Sequence, residues 1–148
     1  MHRLDESLIY EDAYFRVEHS SDCCVPGYLI LSTRNSVTSI TGLTSDELQA
    51  FGPVMAHLVR AIEAAVHPDL VYCAHFGEGA RALHFHLFPR TAAIAAEFLA
   101  DVEHGNELNG PILLNWARVR HATITSSPAD RAKVEEVTQA IRQYIKVG

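Results

Sequence analysis

ARALHFHLFPRT, residues Ala80 to Thr91, sets two histidines, His84 and His86, one residue apart among large apolar side chains and closes on Pro89-Arg90. In a strand, Leu83, Phe85 and Leu87 share one face, and His84, His86 and Phe88 share the other. The first set is the natural core face. The imidazoles then lie together on the opposite face, about 6–7 Å apart along a rigid element, beside the Gly-rich turn GEGARA (Gly77–Ala82). Imidazole works as acid, base or nucleophile near neutral pH because its reference pKa is about 6.5. The residues alone leave three readings open: satisfied strand histidines, a nucleophilic site, or a metal site completed by His75. Against metal, His75 stands at a strand end before Phe76-Gly77, and no fourth acid or cysteine is obviously placed.

Working outward, DLVYCAHF (Asp69–Phe76) is the strand before the turn, and LHFHLF is its return. LIYEDAYFRVEH (Leu8–His19) reads as one or two short strands with a turn near Glu11-Asp12, DCCVPG breaks the pattern, and YLILST (Tyr28–Thr33) is a further strand. Thr44 with Glu47 three residues on, and Asp46 between them, is a helix start. Leu48, Phe51, Met55, Leu58, Val59, Ile62 and Val66 give that helix one apolar stripe, Pro53 predicts a kink or a late start, and His67-Pro68 ends it. Past Arg90, AAIAAEFLADVEHG predicts a helix ending at Gly105, and GPILLNWARVRH a strand or a short irregular segment. Ser127, Pro128 and Asp130 open a last helix with Val134, Val137, Ile141, Tyr144 and Ile145 on its apolar face. Hairpin strands and separate helices together make an α+β chain.

At 148 residues, 48% apolar and 20% charged, the chain suits one globular domain with a sizeable core. A net charge of −6 argues against broad nucleic-acid binding, which needs a basic face, while leaving room for a small anionic ligand. Three cysteines, Cys23, Cys24 and Cys73, imply no disulfide framework and fit a reducing compartment. No apolar run has signal-peptide or membrane-spanning length, so a cytoplasmic protein without a membrane partner is expected.

LIYEDAYFRVEH, VPGYLILSTRNSV, LTSDELQAFGPVMAHLVRAI and GEGARALHFHLFPR together, over residues 8–91, resemble the histidine triad (HIT) family of nucleotide hydrolases and transferases. LHFHLFPR is the most specific part of the resemblance. It implies an α+β HIT-like fold with an antiparallel sheet of about five strands and a long helix, here with additional C-terminal helices, and a homodimer. Residues 92–148 match no pattern of the family and are expected to pack as a C-terminal extension on one domain spanning 1–148.

The resemblance assigns roles as well. Registered on Pro89-Arg90, the middle triad histidine is His84, the family's nucleophile toward the α-phosphorus, and the last is His86, which helps bind and orient the phosphate. The implied substrate is a dinucleoside polyphosphate, a nucleoside phosphoramidate or a similar nucleotide conjugate, with no cofactor or metal. The first triad position is Ala82, and Tyr28, Ser36 and Glu78 stand where the family often has His, His and Gln. A carboxylate at residue 78 repels phosphate unless turned away or protonated. Further candidate ligand contacts are His19 or Ser20 at the ribose, Tyr28 and Glu78 near the phosphate, and Arg90 as a neutralising cation. Tyr10, Tyr14 or Phe15 either wall a base pocket or belong to the core; Cys23 and Cys24 pack or face solvent. The departures motivate a competing reading, a nucleotide-binding or regulatory protein with little catalysis.

Overall fold

A computed structural model describes residues 6–101 and 107–148. Five strands, β1 (Leu8–Glu11), β2 (Phe15–His19), β3 (Leu29–Thr33), β4 (Leu70–Ala74) and β5 (His84–Arg90), form one antiparallel sheet in the order β1-β2-β3-β5-β4. The β1–β2 turn falls at Asp12 for a local reason. Its Oδ1 accepts the backbone N–H groups of Tyr14 and Phe15 at 2.7 and 2.8 Å, and its Oδ2 accepts the Tyr10 hydroxyl at 2.7 Å.

Four helices complete the α+β fold: α1 (Ser45–Val66), α2 (Ala92–Ala100), α3 (Gly110–Arg120) and α4 (Pro128–Val147). Helix α1 begins at Ser45 under the expected capping box of Thr44 and Glu47, with no late start at Pro53. The proline removes one N–H from the helix ladder, yet Pro53 and Gln49, whose carbonyl loses that donor, are both exposed to solvent. His67, left-handed at φ 50°, closes the helix ahead of Pro68. Leu48 departs from the expected stripe and is 47% exposed. Helix α4 starts with the capping box of Ser127 and Asp130.

Two expectations beyond Arg90 are corrected. Helix α2 ends at Ala100, where Asp101 is extended, rather than at Gly105, which lies outside the described residues. GPILLNWARVRH is a helix, not a strand or irregular segment: Asn109 Oδ1 accepts from Ile112 N at 3.3 Å, and a proline occupies the first turn.

Register fixes what lies on each face. Leu29 pairs with Leu87 and Leu31 with Phe85, while Ile30 pairs with His86 and Ser32 with His84. Phe15, Val17, Leu29, Leu31 and Leu87 pack with Leu58, Ala61 and Ile62 of α1 and Val137 and Ile141 of α4. The histidine face carries a second core, in which Tyr28 and Phe88 pack with Ile94 and Phe98 of α2 and Leu113, Leu114, Trp116 and Ala117 of α3. Phe88 is 0% and His86 8% exposed, so helices cover both faces of the sheet rather than one. Among the described residues, no helix is long and apolar enough to cross a membrane.

Candidate active site

His84 opens β5, and its Nδ1 lies 2.8 Å from the backbone carbonyl of Ala82. A carbonyl only accepts, so in the neutral ring the proton sits on Nδ1 and the lone pair on Nε2. The orienting group comes from the main chain. Residue 82 supplies this contact through its backbone, independently of its side chain.

His86, two residues on, has the complementary arrangement. Its Nδ1 lies 2.6 Å from the hydroxyl of Tyr28, a residue 1% exposed. Burial pushes the Tyr28 hydroxyl up to about 12, so the phenol is protonated at neutral pH. Burial, reinforced by the neighbouring His84, Arg118 and His75, brings His86 down to about 4. Both partners are neutral at pH 7. Among the described residues the phenol's hydrogen bond is to His86 Nδ1; the hydroxyl donates, which leaves the His86 proton on Nε2. The rings of His84 and His86 stand 5.2 Å apart. One presents an Nε2 lone pair and the other an Nε2–H, a nucleophile beside a donor.

His75, just past β4, donates from Nδ1 to the carbonyl of His84 at 2.7 Å, and its ring stands edge-on to that of His84 at 5.8 Å. Gly77, at φ +72°, lets the chain turn here; a Cβ on it would lie 3.4 Å from the His75 ring. His75 therefore supports the backbone under His84. Among the described residues, no three His, Cys, Asp or Glu side chains converge to hold a metal ion.

These residues edge a cleft of about 340 Å³, bounded by the segment Phe76–Ala80, by His84 and His86, and by Pro111, Leu114, Asn115 and Arg118 of α3. The volume lies at the small end of ligand-site sizes. Of the expected ligand contacts, Glu78 lines this cleft and Tyr28 reaches it through His86. His19 and Ser20 line a different cavity. His19 pairs with Leu29 on the face opposite His86, and both its ring nitrogens lie against carbonyl oxygens, of Ser20 at 2.9 Å and Val25 at 3.1 Å. Arg90, at the far end of β5, pairs with Asp69 at 3.6 Å. Phe15 is 0% exposed in the core on the α1 side, with Tyr10 and Tyr14 packed against that core, so these aromatics do not wall the cleft. Cys23 is buried with its thiol raised to about 11 by that burial, a packed rather than reactive group.

The α3 contribution escaped the sequence reading. Its signal was present: Pro111, Leu114, Asn115 and Arg118 follow helical spacing along one face.

The HIT domain family matches residues 2–93. No curated protein matches the chain. Among solved structures, a histidine triad protein from Bradyrhizobium japonicum is similar over 98% of this chain and 96% of its own, with a TM-score of 0.63 and 19% identity. A hypothetical histidine triad nucleotide-binding protein from Sulfolobus tokodaii strain 7 is similar over 95% and 84%, with a TM-score of 0.62 and 16% identity. A zinc-bound histidine triad family protein from Mycobacterium smegmatis is similar over 95% and 87%, with a TM-score of 0.56 and 16% identity. At these identities the likeness is one of fold.

Proposed function

Because the chain belongs to the HIT domain family, we propose that it is a nucleotide hydrolase or nucleotidyl transferase working through a covalent intermediate on His84. The observation that supports this reading is the bond from His84 Nδ1 to the Ala82 carbonyl, which in the neutral ring leaves the lone pair on Nε2 of a residue that lines the cleft. The substrate class is a dinucleoside polyphosphate, a nucleoside phosphoramidate or a related nucleotide conjugate.

In the first displacement, His84 Nε2 forms a bond to the α-phosphorus and the bond to the leaving group breaks. A leaving phosphate departs with the electron pair as an anion; a leaving amine takes a proton from solvent. In the second, water or another hydroxyl acceptor attacks the same phosphorus and releases its proton to solvent, the P–N bond breaks, and its electron pair returns to Nε2. In this reading the Nε2–H of His86 donates to a phosphoryl oxygen, and its low basicity keeps it a donor rather than a competing base. Incubation with such conjugates followed by acid-free mass spectrometry is expected to reveal a nucleotidyl adduct on His84. Equal turnover by the wild type and His84→Ala would sink the proposal.

A second reading, nucleotide binding with little catalysis, is favoured by one observation: Glu78 lines the cleft and adds a negative charge where phosphate would sit. Calorimetric binding of nucleotides without product over a panel of conjugates would select it.

A further inference from the structure

The cleft poses an electrostatic problem. A phosphate brings at least one negative charge, and Glu78 lines the same space. The histidines do not compensate: His86 is held neutral near pH 7, and a nucleophilic His84 must keep Nε2 unprotonated. Arg118 is the one permanent cation in this lining. Among the described residues its guanidinium has no hydrogen bond or ion pair, unlike Arg16, Arg90 and Arg120, which pair with acids. Its field reaches the site, acting on both His86 and Tyr28.

The helix that carries it is fixed. Leu113, Leu114, Trp116 and Ala117 are buried against the sheet, and the Trp116 indole donates to Asp101 Oδ2 at 3.0 Å. Asn115 lies one turn before Arg118 on the same face, adding an amide donor to the cleft. A guanidinium offers a planar pair of donors that matches two phosphate oxygens.

We propose that Arg118, on a helix beyond the residues matched by the family, is the phosphate-binding cation of this site and holds the nucleotide phosphate against His84. The inference rests on the nucleotide reading above and deepens it by naming the group that neutralises the substrate. A purely structural role for Arg118, complementing the negative end of α3, is the alternative the experiment must separate.

The test is calorimetric titration of the full chain with the four ribonucleoside 5′-monophosphates and, separately, the four nucleosides, for the wild type, Arg118→Gln and Arg118→Lys. Loss of a charge-assisted phosphate contact is expected to weaken monophosphate binding by about 10–100-fold in Arg118→Gln, with nucleoside affinity unchanged and Arg118→Lys intermediate. Circular dichroism melting shows that the variants fold; Arg118 is exposed, so little change is expected. Monophosphate binding by Arg118→Gln at wild-type strength, or equal losses for nucleosides and monophosphates, overturns the role of Arg118 while leaving nucleotide binding standing. A wild type that binds none of the monophosphates overturns the nucleotide reading and this inference together, and is recognised by the failure of the unmutated chain.

Discussion

Replacing Tyr28 with phenylalanine deletes one oxygen and leaves the ring in place. That oxygen lies 2.6 Å from His86 Nδ1, and the two residues are 1% and 8% exposed, so water does not readily replace it. The imidazole then keeps an unpaired acceptor in a covered site, or moves its proton to Nδ1 and loses the Nε2–H. An unsatisfied buried acceptor costs about 1–3 kcal/mol, so Tyr28→Phe is expected to destabilise the fold by about 2 kcal/mol, or about 4–8 °C in Tm for a chain of this size. Urea denaturation of the wild type, Tyr28→Phe, His86→Leu and the double variant isolates the pair, with a coupling of about 1–2 kcal/mol expected. Imidazole nitrogen NMR reads the tautomer directly: His86 carries its proton on Nε2 in the wild type and shifts toward Nδ1 in Tyr28→Phe. A cost below about 0.5 kcal/mol, together with an unchanged tautomer, refutes the donor role given to Tyr28.

Other expectations follow from the same geometry. His86 is lowered to about 4 and His19 is lowered by burial, so the unfolded chain takes up protons at these histidines first as pH falls below about 6.5; stability declines from pH 6.5 toward 4, measured as the urea midpoint, and the decline is shallower in His86→Leu. An equal slope in both proteins contradicts the assignment to His86. Leu87, 0% exposed on an interior strand between Leu29 and Cys73, is expected to cost about 2–5 kcal/mol when replaced by alanine; a loss under about 1 kcal/mol in chemical denaturation shows that this core is not packed as described. Glu78→Gln is expected to strengthen binding of nucleoside 5′-monophosphates by about 2–10-fold at low salt, with the gain fading as salt screens the charge. Unchanged or weaker binding at low salt means the carboxylate points away from the phosphate.

Much of this fold is written in local patterns. The capping pairs Thr44–Glu47 and Ser127–Asp130 start their helices where the sequence places them, and Asp12 turns the chain with its own side chain. The alternation from Leu83 to Phe88 assigns each side chain to the correct face. The second core is a different matter. GPILLNWARVRH has a compact apolar run whose length suits a strand, and its helical state is stabilised by packing against Tyr28 and Phe88, residues far away in the chain. Local signals, the Asn109 cap and the helical spacing of Pro111, Leu114, Asn115 and Arg118, were present, but the packing partners that bury this segment lie far away in the chain. The same gap hid part of the candidate site: His84, His86 and Glu78 were legible, whereas Asn115 and Arg118 enter the cleft only because α3 lies across the sheet. Tyr28 was visible as a departure from the family pattern, but its hydrogen bond to His86 depends on strand register.

The contact from His84 to the Ala82 carbonyl has a consequence for how this site tolerates change. Every amino acid carries that carbonyl, so substitution at residue 82 alters bulk and polarity around His84 without deleting the atom that sets its proton. Drift at this position is therefore buffered, and replacing residue 82 is a different event from replacing the histidine at 84 or 86. The vulnerability moves to the path of the chain: an insertion or deletion between Gly79 and Leu83 would swing the carbonyl away and disarm the imidazole while leaving both histidines in the sequence.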